Sequence, residues 1–170
     1  MERMEIDVMM IRVHGLMNSG RYAEARRMLG HVLELEPAHG VAHGMLGWIH
    51  WALLDDHATA LVHLRCAVRW APGHVNSWMH YLHLLAGDGM GEELLEASGR
   101  ALSVGGIDRA AVHALVARHM ECTGRPELAL VRYREALAWA VSAAAEAEHR
   151  ANVRRLRARL RRRRLSRLLG

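Results

Sequence analysis

Phenylalanine is absent from the 170 residues, all 23 basic residues are arginine, and there are only two cysteines and three prolines. The missing phenylalanine and lysine point to a GC-rich coding sequence rather than to a functional choice. Cys66 and Cys122 stand far apart, with neither CxxC spacing nor a secretory pattern, which argues against a disulfide framework; both read as reduced, semi-buried small hydrophobes. No stretch approaches the ~18 consecutive apolar residues of a membrane span. Glu2, Arg3, Glu5, Asp7 and Arg12 interrupt the first turns, so no signal peptide is read there. These absences lead to the expectation of a soluble, cytoplasmic protein with enough apolar content for a continuous core.

The formal charge of +5 conceals an asymmetry. Residues 1–149 carry 13 arginines against all 18 acids, a net charge of −5, whereas residues 150–170 carry ten arginines and no acid. Body and tail are therefore separate electrostatic objects.

An internal period comes next, because it decides the fold. Ala25, Ala60, Leu94 and Ala129 recur at spacings of 35, 34 and 35, each followed by bulky apolar residues at helical spacing. A small residue early in a second helix lets the preceding helix approach closely. Ser19-Gly20, Asp55-Asp56, Gly87 to Gly91 and Thr123-Gly124 supply turns, and Pro37 and Pro72 close two of the units. The units run about 6–37, 39–72, 75–106 and 108–141, giving a repeat domain over 1–141 and an arginine-rich helix over 142–170. The third unit is the least regular, with Leu94 in place of alanine, Ser98 in place of a large residue and Gly106 in place of proline.

Leu46-Gly47 with Trp51, Trp78, the three alanines, Tyr133 and the two prolines give the chain a pattern that resembles the tetratricopeptide repeat (TPR) family over roughly residues 6–141. The resemblance implies an all-α, right-handed superhelix of about four helix-turn-helix repeats, with the basic helix as a C-terminal cap. Pentatricopeptide repeats share the period, but the junctions here, Leu-Glu-Pro, Trp-Ala-Pro and Val-Gly-Gly, lack their base-reading polar residues.

The resemblance also implies that first helices line a concave face, so the candidate partner-binding groove comprises Met10, His14, Met17, Asn18, Trp48, Trp51, Asn76, Met79, His80, His83, Arg118 and Glu121. Methionine and tryptophan offer adaptable apolar contact, and His, Asn and Arg give direction to a bound peptide. The competing reading is that many of these pack between helices. Thirteen histidines invite a metal, yet no carboxylate or cysteine recurs at ligand spacing, so neither a metal site nor a cofactor is expected. Gly87-Asp-Gly89-Met-Gly91 follows no strand and reads as a turn, and no nucleophile has a plausible base, so no enzyme is expected.

In the tail, Val153, Leu156 and Leu160 form an apolar stripe suited to covering the last repeat, which leaves Arg161, Arg162, Arg163, Arg164 and Arg167 as a candidate electrostatic arm. The leading expectation is a non-catalytic adaptor or dedicated chaperone that binds a protein or peptide partner; in build and length the chain is similar to the chaperones of bacterial type III secretion. The alternative is a nucleic-acid or anionic-surface binding protein acting through the tail. A third expectation is a homodimer formed through Met9, Met10 and Ile11.

Overall fold

The structure, a computed structural model, describes residues 2–169, with side chains described for residues 3–166. The elements are α1 (Glu2–Asn18), α2 (Tyr22–Leu35), α3 (Gly40–Leu54), α4 (His57–Trp70), α5 (Val75–Gly87), α6 (Gly91–Ala101), α7 (Arg109–Cys122), α8 (Pro126–Ala138) and α9 (Ala143–Leu169). There is no strand among the described residues. The chain forms two compact units, Met1–Leu84 and Leu85–Gly170, with the division falling inside α5.

The turns explain the period. Gly20, Asp55, Gly89 and Gly124 adopt φ of 73°, 52°, 71° and 75°, each five residues before Ala25, Ala60, Leu94 and Ala129. A left-handed residue reverses the chain after the first helix of a pair and closes its last carbonyls, a conformation glycine adopts without Cβ strain. Asp55 bears that strain as a non-glycine, and the following Asp56 amide donates to His50 O at 2.9 Å. The starts of the first helices are equally regular. His39 Nδ1 accepts from the Ala42 amide, Asp108 Oδ1 from Ala111 and Ser142 Oγ from Ala145, while His74 Nδ1 lies 2.7 Å from Ser77 Oγ. Ser142 thus opens α9 as His39 and Asp108 open α3 and α7, so the basic helix begins in repeat register.

Within residues 1–84, α1 packs on α2, α2 on α3, and α3 on α4. Ile6, Met10, Val13 and Leu16 join Ala25, Leu29, Val32, Ala42, Leu46 and Ile49 in one core. Gly47 is required for close approach, since a Cβ there would lie 2.6 Å from Leu64 Cγ. Ala60 and Leu64 are fully buried on the facing helix. Within residues 85–170, α6 packs on α7, α7 on α8, and α8 on α9. Leu94, the large residue in the alanine position, is fully buried, and Ser98 is buried with its hydroxyl donating to Leu95 O at 2.8 Å. Val153 and Leu156 are buried, which places the basic helix in the same compact unit as α6 to α8.

Candidate functional site

The first helices of residues 1–84 border an open cavity of about 320 Å³. It is lined by His14, Met17 and Asn18 from α1, Tyr22 from α2, Gly44, Met45 and Trp48 from α3, and His74, Asn76 and His80 at and after the start of α5. Helical spacing produces the convergence: residues three and four apart share a face, so His14, Met17 and Asn18 project together from α1, as Gly44 and Trp48 do from α3. Gly44 is needed here because a Cβ would collide with the Ser77 hydroxyl, so α3 and α5 touch at a glycine beneath the cavity.

Aromatic rings form its wall. Trp48 meets Tyr22 edge-on at 5.5 Å between centroids and His80 at 6.3 Å. Trp51 lies 6.2 Å from His80 and stacks on His83, also at 6.2 Å with 19° between the planes. Burial, then the charges that His83 and His74 would carry, pushes the His80 pKa down to about 4. His74 is lowered by burial and by His14. These two imidazoles are neutral near pH 7, and among the described residues no Arg, Asp or Glu lines the cavity. It presents apolar and aromatic surface with uncharged hydrogen-bonding groups.

Six residues of the sequence-derived groove come together in it: His14, Met17, Asn18, Trp48, Asn76 and His80. Trp51 and His83 extend the aromatic run beside it. Met79 is half-buried on α5 and does not contribute to the lining. Met10 is placed elsewhere: its side chain is 8% exposed in the core, because position 10 shares a helix face with Ile6 and Val13.

Arg118 and Glu121 belong to the other compact unit, where the basic helix engages Glu121. Glu121 accepts from Arg155 Nη2 at 2.7 Å and from Arg159 Nη1 at 3.2 Å. The hydrogen bond from Arg155 holds the Glu121 carboxyl below its ordinary range, and Glu121 raises Arg155 in turn. A reading of α7 alone could not see that α9 supplies these partners from more than thirty residues away.

Sequence reasoning missed Tyr22, Gly44, Met45 and His74. The run Gly40, Gly44 and Gly47 at helical spacing was the available signal for a close helix crossing. It also missed a histidine set on α3 and α4. His43 Nδ1 and His63 Nδ1 are 2.8 Å apart, with His43 Nε2 3.0 Å from Pro37 O. Because a carbonyl only accepts, His43 donates from Nε2 and receives the His63 Nδ1 proton. Burial, followed by His43 and His50, takes the His63 pKa to about 4. Among the described residues no three His, Cys, Asp or Glu side chains are grouped to hold a metal ion.

Arg161, Arg162, Arg163 and Arg164 are exposed on α9 beyond the buried stripe. Arg167 lies outside the residues whose side chains are described. No helix among the described residues is long and apolar enough to cross a membrane.

No family model matches the chain, and no curated protein matches it. Solved structures do. PilF of Pseudomonas aeruginosa is similar at a TM-score of 0.76 and 16% identity, over 95% of this chain and 71% of that one. MamA of Desulfovibrio magneticus RS-1, from residue 41 to its end, gives 0.73 and 14% over 91% and 84%. YrrB, described as a TPR protein with an unusual peptide-binding site, gives 0.68 and 19% over 82% and 71%. At such identities the likeness is one of fold.

Proposed function

We propose, from the premise that this chain has the tetratricopeptide-repeat fold, that it is a non-catalytic protein-interaction module whose α1, α3 and α5 face holds a segment of a partner protein. One observation carries the reading: Trp48 stands between Tyr22 and His80 at the wall of an open cavity bordered by three first helices. Partly buried aromatic surface beside amide and imidazole groups suits an extended or helical peptide, with apolar anchors in the cavity and hydrogen bonds to Asn18 and Asn76. The lining carries no fixed charge, so the contacted stretch of ligand is apolar or polar-neutral rather than acidic. The peptide-binding site for which YrrB is named accords with this reading. An adaptor or dedicated chaperone acts in this way.

The test is selection of a random peptide display library on the immobilised protein, followed by titration of selected peptides by tryptophan fluorescence. Trp48→Ala should weaken them ~30-fold, equivalent to about 2 kcal/mol, at a temperature where circular dichroism shows the variant fully folded. Peptides that bind Trp48→Ala and Trp51→Ala as they bind the wild type would overturn the reading.

The tail supports a second reading. Arg161 to Arg164 are exposed past the point where Leu156 anchors α9, and no ion pair engages them among the described residues. Arginine forks match phosphate oxygens, so this segment is suited to the phosphate backbone of a nucleic acid. Four to six phosphate contacts give a log–log salt slope of about −4 to −5 on duplex DNA. Truncation after Leu160 should abolish retention on heparin and binding to a 20-base-pair duplex. Binding to vesicles of anionic lipid but not to the duplex would replace nucleic acid with a membrane surface.

A further inference from the structure

The face of α1 opposite the core is apolar and exposed. Met4, Val8 and Ile11 are 74%, 61% and 72% exposed. At 100° per residue they fall with Gly15 on one narrow stripe, turned about 180° from Ile6, Met10 and Val13. Gly15 sits in the helix without positive φ, and a Cβ there would have nothing within 4 Å, so no packing inside the chain requires a glycine. Glycine in a helix interior costs about 1 kcal/mol relative to alanine, and here, in line with exposed Val8 and Ile11, it leaves room on the apolar stripe for a second helix to come close.

The polar residues beside the stripe say what that second backbone is. Glu5 and Arg12 flank it on one side, both exposed and seven residues apart. When two such helices run antiparallel, residues on the same flank face each other. Placing Val8 against Ile11 of the other copy sets Met4 over the other copy's Gly15. It also brings Glu5 within about 3 Å along the axis of the other copy's Arg12, and the two-fold axis makes that pair twice. In a parallel arrangement Glu5 would instead face Arg3 on the opposite flank, while Arg12 would have only Asp7, about 7.5 Å away along the axis, so the antiparallel pairing is the one that engages both Glu5 and Arg12 closely.

We infer that the α1 stripe of Met4, Val8, Ile11 and Gly15 is a self-association surface whose occupant is a second copy of this chain, paired antiparallel and held in register by Glu5 against Arg12. One helix face is small for an interface, so the dimer is reversible, with dissociation in the micromolar range. The stripe shares no residue with the lining of the cavity.

Sedimentation of the full chain from about 1 μM to about 500 μM tests it. The wild type should pass from monomer to dimer across that range. Ile11→Arg, at an exposed position that leaves helicity and melting temperature unchanged, should weaken dimerisation by at least about 30-fold. Glu5→Arg and Arg12→Glu should each weaken it about 3- to 10-fold by setting like charges together. An equimolar mixture of those two variants should recover dimer to within about twofold of wild type, because every cross-pair then joins opposite charges. A wild type that stays monomeric throughout overturns the proposal, as does a dimer indifferent to Ile11→Arg. A mixture no tighter than either variant alone removes the antiparallel register and with it the argument for a second copy.

Discussion

Residues 1–84 and residues 85–170 are built from similar helix pairs, but their first-helix faces are used differently. In the former, Trp48, Trp51, His80 and His83 lie against one another beside an open cavity, and burial keeps His80 neutral. In the latter, Glu121 is occupied by Arg155 and Arg159. A polar group that already has its charge-assisted partners offers a ligand little, since binding must first displace them. An uncharged aromatic face binds a ligand by apolar contact that requires no charge-assisted bond to be broken. Under the proposed peptide-binding reading, what matters is which polar groups already hold charge-assisted partners, not which residue types sit at first-helix positions.

The largest expected effect attacks the helix that occupies the second face. Leu156 is fully buried on α9, and Leu156→Ala should destabilise residues 85–170 by about 3 kcal/mol, read from urea unfolding. Truncation after Leu160 keeps Val153 and Leu156 and should leave the melting temperature within about 2 °C. If truncation unfolds the protein, the arginine segment is structural and the contrast between an anchored and an exposed part of α9 is lost.

Acid should distinguish the two units next. His63 and His80 titrate near 6.5 in the unfolded chain and at about 4 in the fold, so as pH falls the unfolded state takes up protons first. Their contribution is complete above about 6.5, drains between 6.5 and 4, and is gone below; allowing for water reaching part of each ring, the loss totals about 2–3 kcal/mol. His113 in residues 85–170 is lowered in the same direction, opposed by Glu135. The depressed carboxyl of Glu121 holds its pairing until the pH falls below the ordinary carboxylate range. Hydrogen exchange at pH 5 should therefore show residues 1–84 losing more protection than residues 85–170. Equal loss would mean that the two imidazoles gain their protons without unfolding.

Binding supplies the third comparison. Trp48→Ala should cost a selected peptide about 2 kcal/mol, while Arg118→Ala should change its affinity less than about twofold. An effect of Arg118 equal to that of Trp48 would mean that the second face also takes ligand.

The repeat was legible because its signals are local: small and large residues at a fixed period, with turn glycines between them. Half of the candidate groove was legible for the same reason, since His14, Met17, Asn18, Trp48, Asn76 and His80 follow from helical spacing within a known register. Met10 was misplaced because α1 has apolar residues on opposite faces, Ile6 and Val13 on one and Val8 and Ile11 on the other, and nothing in its own sequence says which is the core. The surroundings of Glu121 were not legible for a different reason. Its partners come from α9, and long-range ion pairing leaves no periodic trace. The His43–His63 pair was hidden likewise, as it joins two helices across a turn whose length set the register only to within one residue.

A smaller effect follows from Glu121 itself. Glu121→Gln keeps the shape and removes the charge, so Arg155 and Arg159 lose their carboxylate partner; a loss of about 1 kcal/mol is expected for this partly buried pair. Arg155→Ala should cost about as much, and the double variant little more, since both remove one network. Additive losses would show that the two residues act separately.

The smallest expected effect concerns the least regular stretch of the repeat, where two glycines in helices behave oppositely. Gly47 in residues 1–84 has Leu64 against it, so a methyl group there must push a fully buried side chain aside, and Gly47→Ala should destabilise. Gly99 in α6 is exposed, has helical φ, and would place a Cβ in open space. Nothing in the fold uses its freedom, so Gly99→Ala should stabilise by about 0.5–1 kcal/mol through the unfolded chain's lost entropy. Hydrogen exchange gives the spatial check. In the wild type, residues 87–106 should open before α2, and Gly99→Ala should slow exchange in α6 while leaving α2 unchanged. If α6 is already as protected as α2, Leu94 and Ala97 hold it firmly enough that glycine's intrinsic cost is not felt.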